Sequence, residues 1–271
     1  MSWFASHRSD AINEPSGALS RKHGALDWLR YRVASRHETT RLQNGRQRMR
    51  IAKIHPPRLR TMDEEGERSA TWLELFYDLV FVVAVAVLGG RLLADASWTG
   101  VWSYLGYFGL LWWLWASHTF YADRYDTDDL VYRLLATGQM VAVVLAAASL
   151  STGPSGSTLA FAIAYTLARL MLLAMYYRAH VHVPETRTLV RGYLIGFGAG
   201  AAVWAISILT PEPGRFALWI LGLSIELATP FVMRREQARV PLDVSHLPER
   251  FGLFTILVLG ESIAAVVVGL S

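Results

Sequence analysis

Ionisable side chains lie inside apolar stretches of this sequence, where a charge facing lipid would be costly. The segment TWLELFYDLVFVVAVAVLGG (71–90) carries Glu74 and Asp78. Because these residues are four positions apart, a helix places both carboxylates on one face. Two acids that face the same way need counter-charges or protons, so the chemistry to look for is ion pairing or protonation.

Further ionisable residues interrupt the later apolar stretches: His118, Arg169, Glu226, Arg250 and Glu261. Arginine stays charged in proteins. We therefore predict that Asp78 pairs with Arg250, and that Glu226 or Glu261 pairs with Arg169. Four acids then face two fixed cations, and an unpaired carboxylate in a low-dielectric site takes up a proton. Such a set suits a proton or a small cation and suits an anion poorly.

A structural interpretation competes with this functional one. Buried ion pairs often only fix the register of neighbouring helices, so Asp78 and Arg250 fit a clamp as well as a site. Glu74 fits an acid at a helix start, stabilised by the helix dipole, and His118 fits a histidine bonded to a neighbour. For Glu261 the functional interpretation is favoured. Glu261 lies deepest in the membrane among these residues, and it follows Gly260, which would let a neighbouring backbone approach.

Apolar runs long enough to span a bilayer, about 20 residues each, occur seven times in the 271 residues, of which 53% are hydrophobic. The runs are continuous rather than alternating, which favours helices over a barrel. We therefore predict an all-α fold, a polytopic transmembrane helix bundle over residues 71–271. Its spans are predicted at 73–94, 99–121, 131–151, 157–177, 190–210, 215–233 and 250–270.

The basic residues predict the orientation of this bundle, because positive residues mark the cytoplasmic side. Of 26 Lys and Arg, 14 lie in residues 1–70. With the N-terminus inside, nine arginines fall in cytoplasmic loops or span ends, and only Arg91 and Arg215 fall outside. We therefore predict a cytoplasmic N-terminus. The net charge of +4 follows topology and does not indicate nucleic-acid binding.

Residues 1–70 have no long apolar run, and we predict a mostly disordered, basic cytoplasmic tail. Within it, ALDWLRYRVASRH (25–37) fits a short amphipathic helix on anionic lipid headgroups. The alternative is that the tail serves topology alone. Met49 or Met62 also fits a start of translation.

Other motifs carry little chemistry. The absence of cysteine excludes thiol catalysis and cysteine metal sites. No nucleophile–base set, phosphate loop or strong metal pattern stands out, so we expect neither enzyme activity nor a cofactor. DRYDTDD (123–129) predicts a solvated acidic loop, and the small residues of GFGAGAA (196–202) predict close helix packing.

Two segments carry a resemblance to a known family: RSATWLELFYDLVFVVAVA (68–86) and HLPERFGLFTILVLGES (246–262). They resemble the bacterial low temperature requirement protein A family, and the similarity runs from about Arg58 to the end of the chain. The resemblance implies a multi-pass protein of the bacterial plasma membrane, tied by name to growth in the cold. Family members usually continue with further membrane helices, so we expect a short or truncated member.

These observations favour a transporter or channel for protons, cations or a small solute, with a polar chamber that opens to the cytoplasm. Asp78 and Glu261 would titrate, with Arg169 and Arg250 as counter-charges. The alternative is a non-transporting scaffold or stress factor in which the charges are clamps. A membrane enzyme acting on lipid has the least support. The oligomeric state stays open.

Overall fold

The computed structural model describes residues 55–59, 72–126, 129–151, 157–240 and 247–270. The predicted amphipathic helix of the tail and both alternative start residues lie outside these ranges. Within them the chain forms eight α-helices, one 3₁₀ turn and two short strands. In chain order these are β1 (Arg58–Leu59), α1 (Trp72–Ala94), α2 (Trp98–Arg124), β2 (Tyr125–Asp126), α3 (Leu130–Ser151), α4 (Thr158–His182), the 3₁₀ turn (Pro184–Thr186), α5 (Arg187–Leu209), α6 (Gly214–Val232), α7 (Arg234–Arg239) and α8 (Leu247–Leu270).

Seven of these helices follow the seven predicted spans closely. Five stretches are long and apolar enough to cross a membrane: Trp72–Ala94, Leu130–Leu150, Thr158–His182, Pro184–Leu209 and Gly214–Val232. The helices α2 and α8 are not among these five. α2 is rich in Trp, Tyr and Gly, which are less hydrophobic than aliphatic residues, and many side chains in the C-terminal part of α8 lie outside the described set. The described chain is thus an all-α bundle with the composition of a membrane protein.

Sequential packing organises the bundle. Each helix from α3 to α6 contacts the next one along the chain, while α1 contacts α2, α3 and α8. We call the end with the antiparallel β1–β2 pair and the 3₁₀ turn the sheet end. There Tyr125 donates a hydrogen bond to Thr186. We call the opposite end, with the α1–α2 and α5–α6 connections, the turn end, where Arg91 donates to the carbonyl of Leu150.

Asp129, in the predicted acidic loop at the sheet end, is packed rather than solvated. Asp129 is 1% exposed and accepts hydrogen bonds of 2.7 and 3.2 Å from the Arg178 guanidinium. It also accepts from the backbone N–H of Tyr132 and so caps the start of α3. The prediction of a solvated loop is therefore wrong at Asp129, because the arginine from α4 compensates the buried charge.

The glycines of α5 allow α6 to approach closely, as predicted from GFGAGAA. A Cβ added at Gly200 would lie 2.5 Å from Cγ of Glu226. A Cβ at Gly196 would lie within 3 Å of three side-chain atoms of Thr229. The position of Glu226 in the bundle is therefore set by contact with the α5 backbone.

Candidate functional site

A part-buried ion pair joins α1 to α8. The Arg250 guanidinium donates to Oδ1 of Asp78 at 3.3 Å, and the Trp115 indole of α2 donates to the same oxygen at 2.7 Å. The Trp115 ring stacks on Phe254 with centroids 4.0 Å apart and contacts the Phe251 ring edge-on. The predicted pairing of Asp78 with Arg250 is confirmed.

A second, fully buried ion pair joins α4 to α6. Nη2 of Arg169 lies 2.5 Å from Oε2 of Glu226, and both side chains have zero exposure. The Tyr165 hydroxyl accepts from Arg169 at 2.9 Å and donates to Glu226 at 3.2 Å. Nη1 of Arg169 donates to the Ser117 hydroxyl of α2 at 2.7 Å. Of the two predicted partners for Arg169, the structure thus brings Glu226 into contact.

Consecutive residues of α2 and of α1 connect the two pairs. Ser117 contacts the Arg169 pair, and the next residue, His118, stacks on Tyr77 with ring centroids 3.9 Å apart. Tyr77 in turn precedes Asp78 in the chain. Nε2 of His118 lies 3.4 Å from the hydroxyl of Tyr132 on α3. Among the described residues, the buried Tyr77 hydroxyl and Nδ1 of His118 have no hydrogen-bond partner.

We call this set the interior polar network: Tyr77, Asp78, Trp115, Ser117, His118, Tyr165, Arg169, Glu226 and Arg250. It draws on five helices, namely α1, α2, α4, α6 and α8, which correspond to the spans predicted to line a chamber. Two carboxylates, an imidazole and several hydroxyls in contact can accept, hold and pass protons. Two guanidiniums keep the network close to neutral overall.

Two predicted residues lie at or beyond the edge of the network. Glu74 is half-buried near the start of α1, within electrostatic range of Arg250 and Asp78. Glu261 lies on an exposed part of α8, where Leu259, Ile263 and Val267 are exposed as well. No atom of the described residues lies within 4 Å of a Cβ added at Gly260, so the predicted close backbone approach is wrong for the part of the chain that the structure describes.

Metal binding finds no support in the part of the chain that the structure describes. Those ranges contain no group of three or more His, Asp or Glu side chains placed to hold a metal ion. The interior polar network offers its acids to arginines and aromatic donors instead. These acids form ion pairs and hydrogen bonds.

An aromatic layer closes the network toward the turn end. Trp219 lies 5.2 Å from Trp204, and Trp204 stacks on Tyr165 at 3.9 Å. Phe161 lies 5.2 Å from Trp219, and Tyr107 lies 6.1 Å from it, all measured between ring centroids. All five rings are buried. Tyr165 thus belongs to both groups, with its ring in the aromatic layer and its hydroxyl in the polar network.

A pocket of about 660 Å³ opens on the other side of this layer, at the turn end. Tyr107 and Trp219 form part of its lining, together with Arg91, Thr158 and Glu212. We call it the turn-end pocket. Two residues of the sequence point to this pocket: Arg91 and Arg215 are the two loop arginines that fall outside the predicted cytoplasmic side. Arg91 lines the pocket, and Arg215 contacts its wall residues Thr158 and Glu212.

Comparison with known proteins identifies the family. The model of the family described as bacterial low temperature requirement A protein (LtrA) matches residues 69–271. An uncharacterized protein of Rhizobium meliloti (strain 1021), RA0937, is 28% identical over 225 residues, which cover 80% of this chain and 54% of the relative. The chain thus spans about half the length of the curated relative it matches. No solved structure matches.

The family match covers well over half of the 271 residues and includes both segments that carried the resemblance. It also covers every helix described above. This chain is therefore a member of the bacterial low temperature requirement A family, and its apolar helices make it an integral membrane protein.

Proposed function

We propose that this protein moves protons, or a small cation exchanged for protons, through the interior polar network. Asp78 and Glu226 are the titrating groups, Arg250 and Arg169 are their counter-charges, and His118 with Tyr77 connects the two pairs. The observation that carries the proposal is the linkage of the network: four contacts and two steps between consecutive residues, Tyr77–Asp78 and Ser117–His118, join Arg250 to Glu226 across five helices. Ionisable residues buried within apolar helices commonly mark ion paths or proton relays.

The proposal includes a topology. All seven long helices cross the bacterial plasma membrane, the sheet end faces the cytoplasm, and the turn end faces outward. The arginine asymmetry of the loops supports this orientation. The network lies nearer the sheet end, since Asp78 is the seventh residue of α1 and Arg250 is the fourth of α8. The chamber would therefore open inward.

Two further roles belong to the same proposal. The basic tail at 1–70 would bind anionic lipid headgroups on the cytoplasmic face. Flux through the network would serve the growth at low temperature that the description of the family names. A strain lacking the protein would then grow normally in the warm and poorly in the cold, and Asp78→Asn would not restore cold growth.

Liposomes test the transport proposal. The purified protein is reconstituted into vesicles that contain a pH-sensitive dye, and a cation gradient is imposed. Wild type is expected to change the internal pH, and Asp78→Asn is expected to abolish this flux while the protein stays folded. Glu185→Gln, a change at an exposed acid of the 3₁₀ turn, is the matched control and keeps full flux.

A scaffold role is the second candidate, and the direct contact of Arg169 with Glu226, among aromatic rings, favours it. It predicts the opposite pattern of results. Asp78→Asn would lower the thermal unfolding midpoint, and neither wild type nor variant would carry flux. That outcome would reject transport and make the ion pairs clamps between helices.

A further inference from the structure

Polarity changes along the turn-end pocket, from its mouth inward. The lining residues nearest the helix ends and connections are mostly polar: Arg91, Thr99, Ser103, Thr158 and Glu212. The residues further along α2 and α6 are mostly apolar: Gly106, Tyr107, Leu110, Trp219, Ile220 and Leu223. From Thr99 to Leu110 the lining of α2 extends over about 16 Å of helix. A polar end followed by an apolar length matches an amphiphile aligned with the helices.

Charges of both signs line the polar end. The Arg91 guanidinium lies 5.9 Å from the centre of the Tyr107 ring and donates to the carbonyl of Leu150 at 3.2 Å. Glu212 comes from the α5–α6 connection, and its side chain is 51% exposed. Thr158 donates to the Glu212 carboxylate, and Arg215 lies 3.5 Å from it. A ligand that satisfies both ends of this site carries a negative and a positive group.

The apolar walls are open toward the bilayer side of the helices. Trp102 on α2 and Ile220 on α6 both line the pocket and are largely exposed. Tryptophan is enriched where membrane proteins meet the headgroup region. The volume of about 660 Å³ is within the range of ordinary small-molecule sites.

We infer that the turn-end pocket binds one phospholipid whose headgroup carries a phosphate and a primary ammonium. The phosphate lies toward Arg91, the ammonium lies toward Glu212, and the start of an acyl chain lies against Leu110, Ile220 and Leu223. A lipid with a net negative headgroup would bring a second negative charge toward Glu212, which has the Arg215 cation beside it. This inference requires a membrane protein but does not require transport.

Two glycines of α2 provide a test with a matched control. A Cβ added at Gly106 or at Gly109 meets no atom within 4 Å, so both helix positions accept a larger side chain. Gly106 lines the pocket and Gly109 does not. Gly106→Leu therefore fills the pocket, whereas Gly109→Leu adds the same side chain elsewhere on the helix.

The protein is purified in a mild detergent, incubated with phosphatidylethanolamine or phosphatidylglycerol, and examined by native mass spectrometry for bound lipid. Wild type and Gly109→Leu are expected to retain phosphatidylethanolamine. Gly106→Leu is expected to bind it about tenfold more weakly or worse, because the added side chain occupies the pocket. Glu212→Gln is expected to keep lipid binding but lose the preference for phosphatidylethanolamine.

Thermal unfolding of each variant establishes that it is folded. Retention of phosphatidylethanolamine by folded Gly106→Leu would overturn the site. Equal binding of the two lipids by wild type, unchanged in Glu212→Gln, would overturn the headgroup assignment. Should Gly106→Leu fail to fold, the Glu212→Gln comparison decides alone.

Discussion

The glycines beside the interior polar network and at the turn-end pocket have opposite surroundings. Where α5 meets α6, beside the interior polar network, a Cβ at Gly200 would collide with Glu226. At the turn-end pocket, no atom of the described residues lies within 4 Å of a Cβ added at Gly106. The first region is packed to backbone contact and the second has room to spare. Close packing preserves one arrangement of charges, while open space admits a ligand.

The charges differ in the same way. Arg169 and Glu226 have zero exposure and contact each other directly. Glu212 at the turn end is half exposed and is supported by Thr158 and Arg215. A charge withdrawn from water depends entirely on its partner. A charge at the surface keeps its hydration and gains little from one partner. Substitutions should therefore have large effects in the first region and small ones in the second.

Breaking the interior pair should have the largest effect. Glu226→Gln leaves the Arg169 charge buried without its partner, and we expect a loss of about 3–5 kcal/mol in the free energy of unfolding. The double change Arg169→Met with Glu226→Leu should recover most of this loss, because it removes both charges at similar volume. Thermal unfolding in detergent measures both.

The surface pair of Glu236 and Arg239 on α7, whose side chains are 25% and 73% exposed, is the control for that experiment. Glu236→Gln should change the unfolding free energy by less than about 1 kcal/mol. Similar losses for Glu226→Gln and Glu236→Gln would contradict the contrast drawn between buried and exposed pairs.

A change of one methyl group should have the next largest effect. Gly200→Ala places a Cβ 2.5 Å from Cγ of Glu226, and such overpacking costs about 1–3 kcal/mol. Gly198→Ala, on the same helix, meets no atom within 4 Å and should stabilise α5 by roughly 0.5–1 kcal/mol. Denaturation curves of the two variants should therefore move in opposite directions. Movement in the same direction would show that α6 adjusts freely.

The smallest effect concerns the connection between α1 and α2, at the turn end. Hydrogen bonds from the side chain and backbone of Ser97 hold the pKa of Asp95 below its usual range. The contribution of Asp95 to stability is present above the unfolded-state pKa and is lost as pH falls through the lowered pKa. Ser97→Ala should raise this pKa, as carbon-13 spectra of labelled aspartate would show.

Ser97 also caps α2 by accepting from the backbone N–H of Gly100. Ser97→Ala should therefore cost about 0.5–2 kcal/mol at neutral pH as well. Asp95→Asn separates the two effects, because it removes the titration and leaves the cap. An unchanged Asp95 titration in Ser97→Ala would refute the assigned cause.

The helices and the charge pairs followed from simple rules. Long apolar runs have one stable backbone form in lipid, so each predicted span coincides with a helix to within a few residues. The pairing of Asp78 with Arg250 followed from matching the two charges by depth. Depth comes directly from position along a helix, at a fixed rise per residue.

The hydropathy of the sequence did not predict which face of each helix is buried or which side chains that face contacts. Glu261 is three turns along α8 from Arg250, yet it is exposed, whereas Phe254, which stacks on Trp115 of α2, is buried. The indole of Trp115 is the closest donor to Asp78, but nothing in its spacing marks it among the many tryptophans of α2. The turn-end pocket arises where helices diverge, and local sequence does not encode that separation.

The glycine contacts between α5 and α6 also make sliding of these helices discontinuous. Gly192, Gly196 and Gly200 are spaced one turn apart, and they receive Met233, Thr229 and Glu226 respectively. A slip by part of a turn would drive these side chains into the larger residues between the glycines. A shift of α6 by one whole turn, about 6 Å, would place Glu226 against the neighbouring glycine of α5 and out of reach of Arg169. The contacts between α5 and α6 therefore allow two registers of α6: the present one and one displaced by a whole turn.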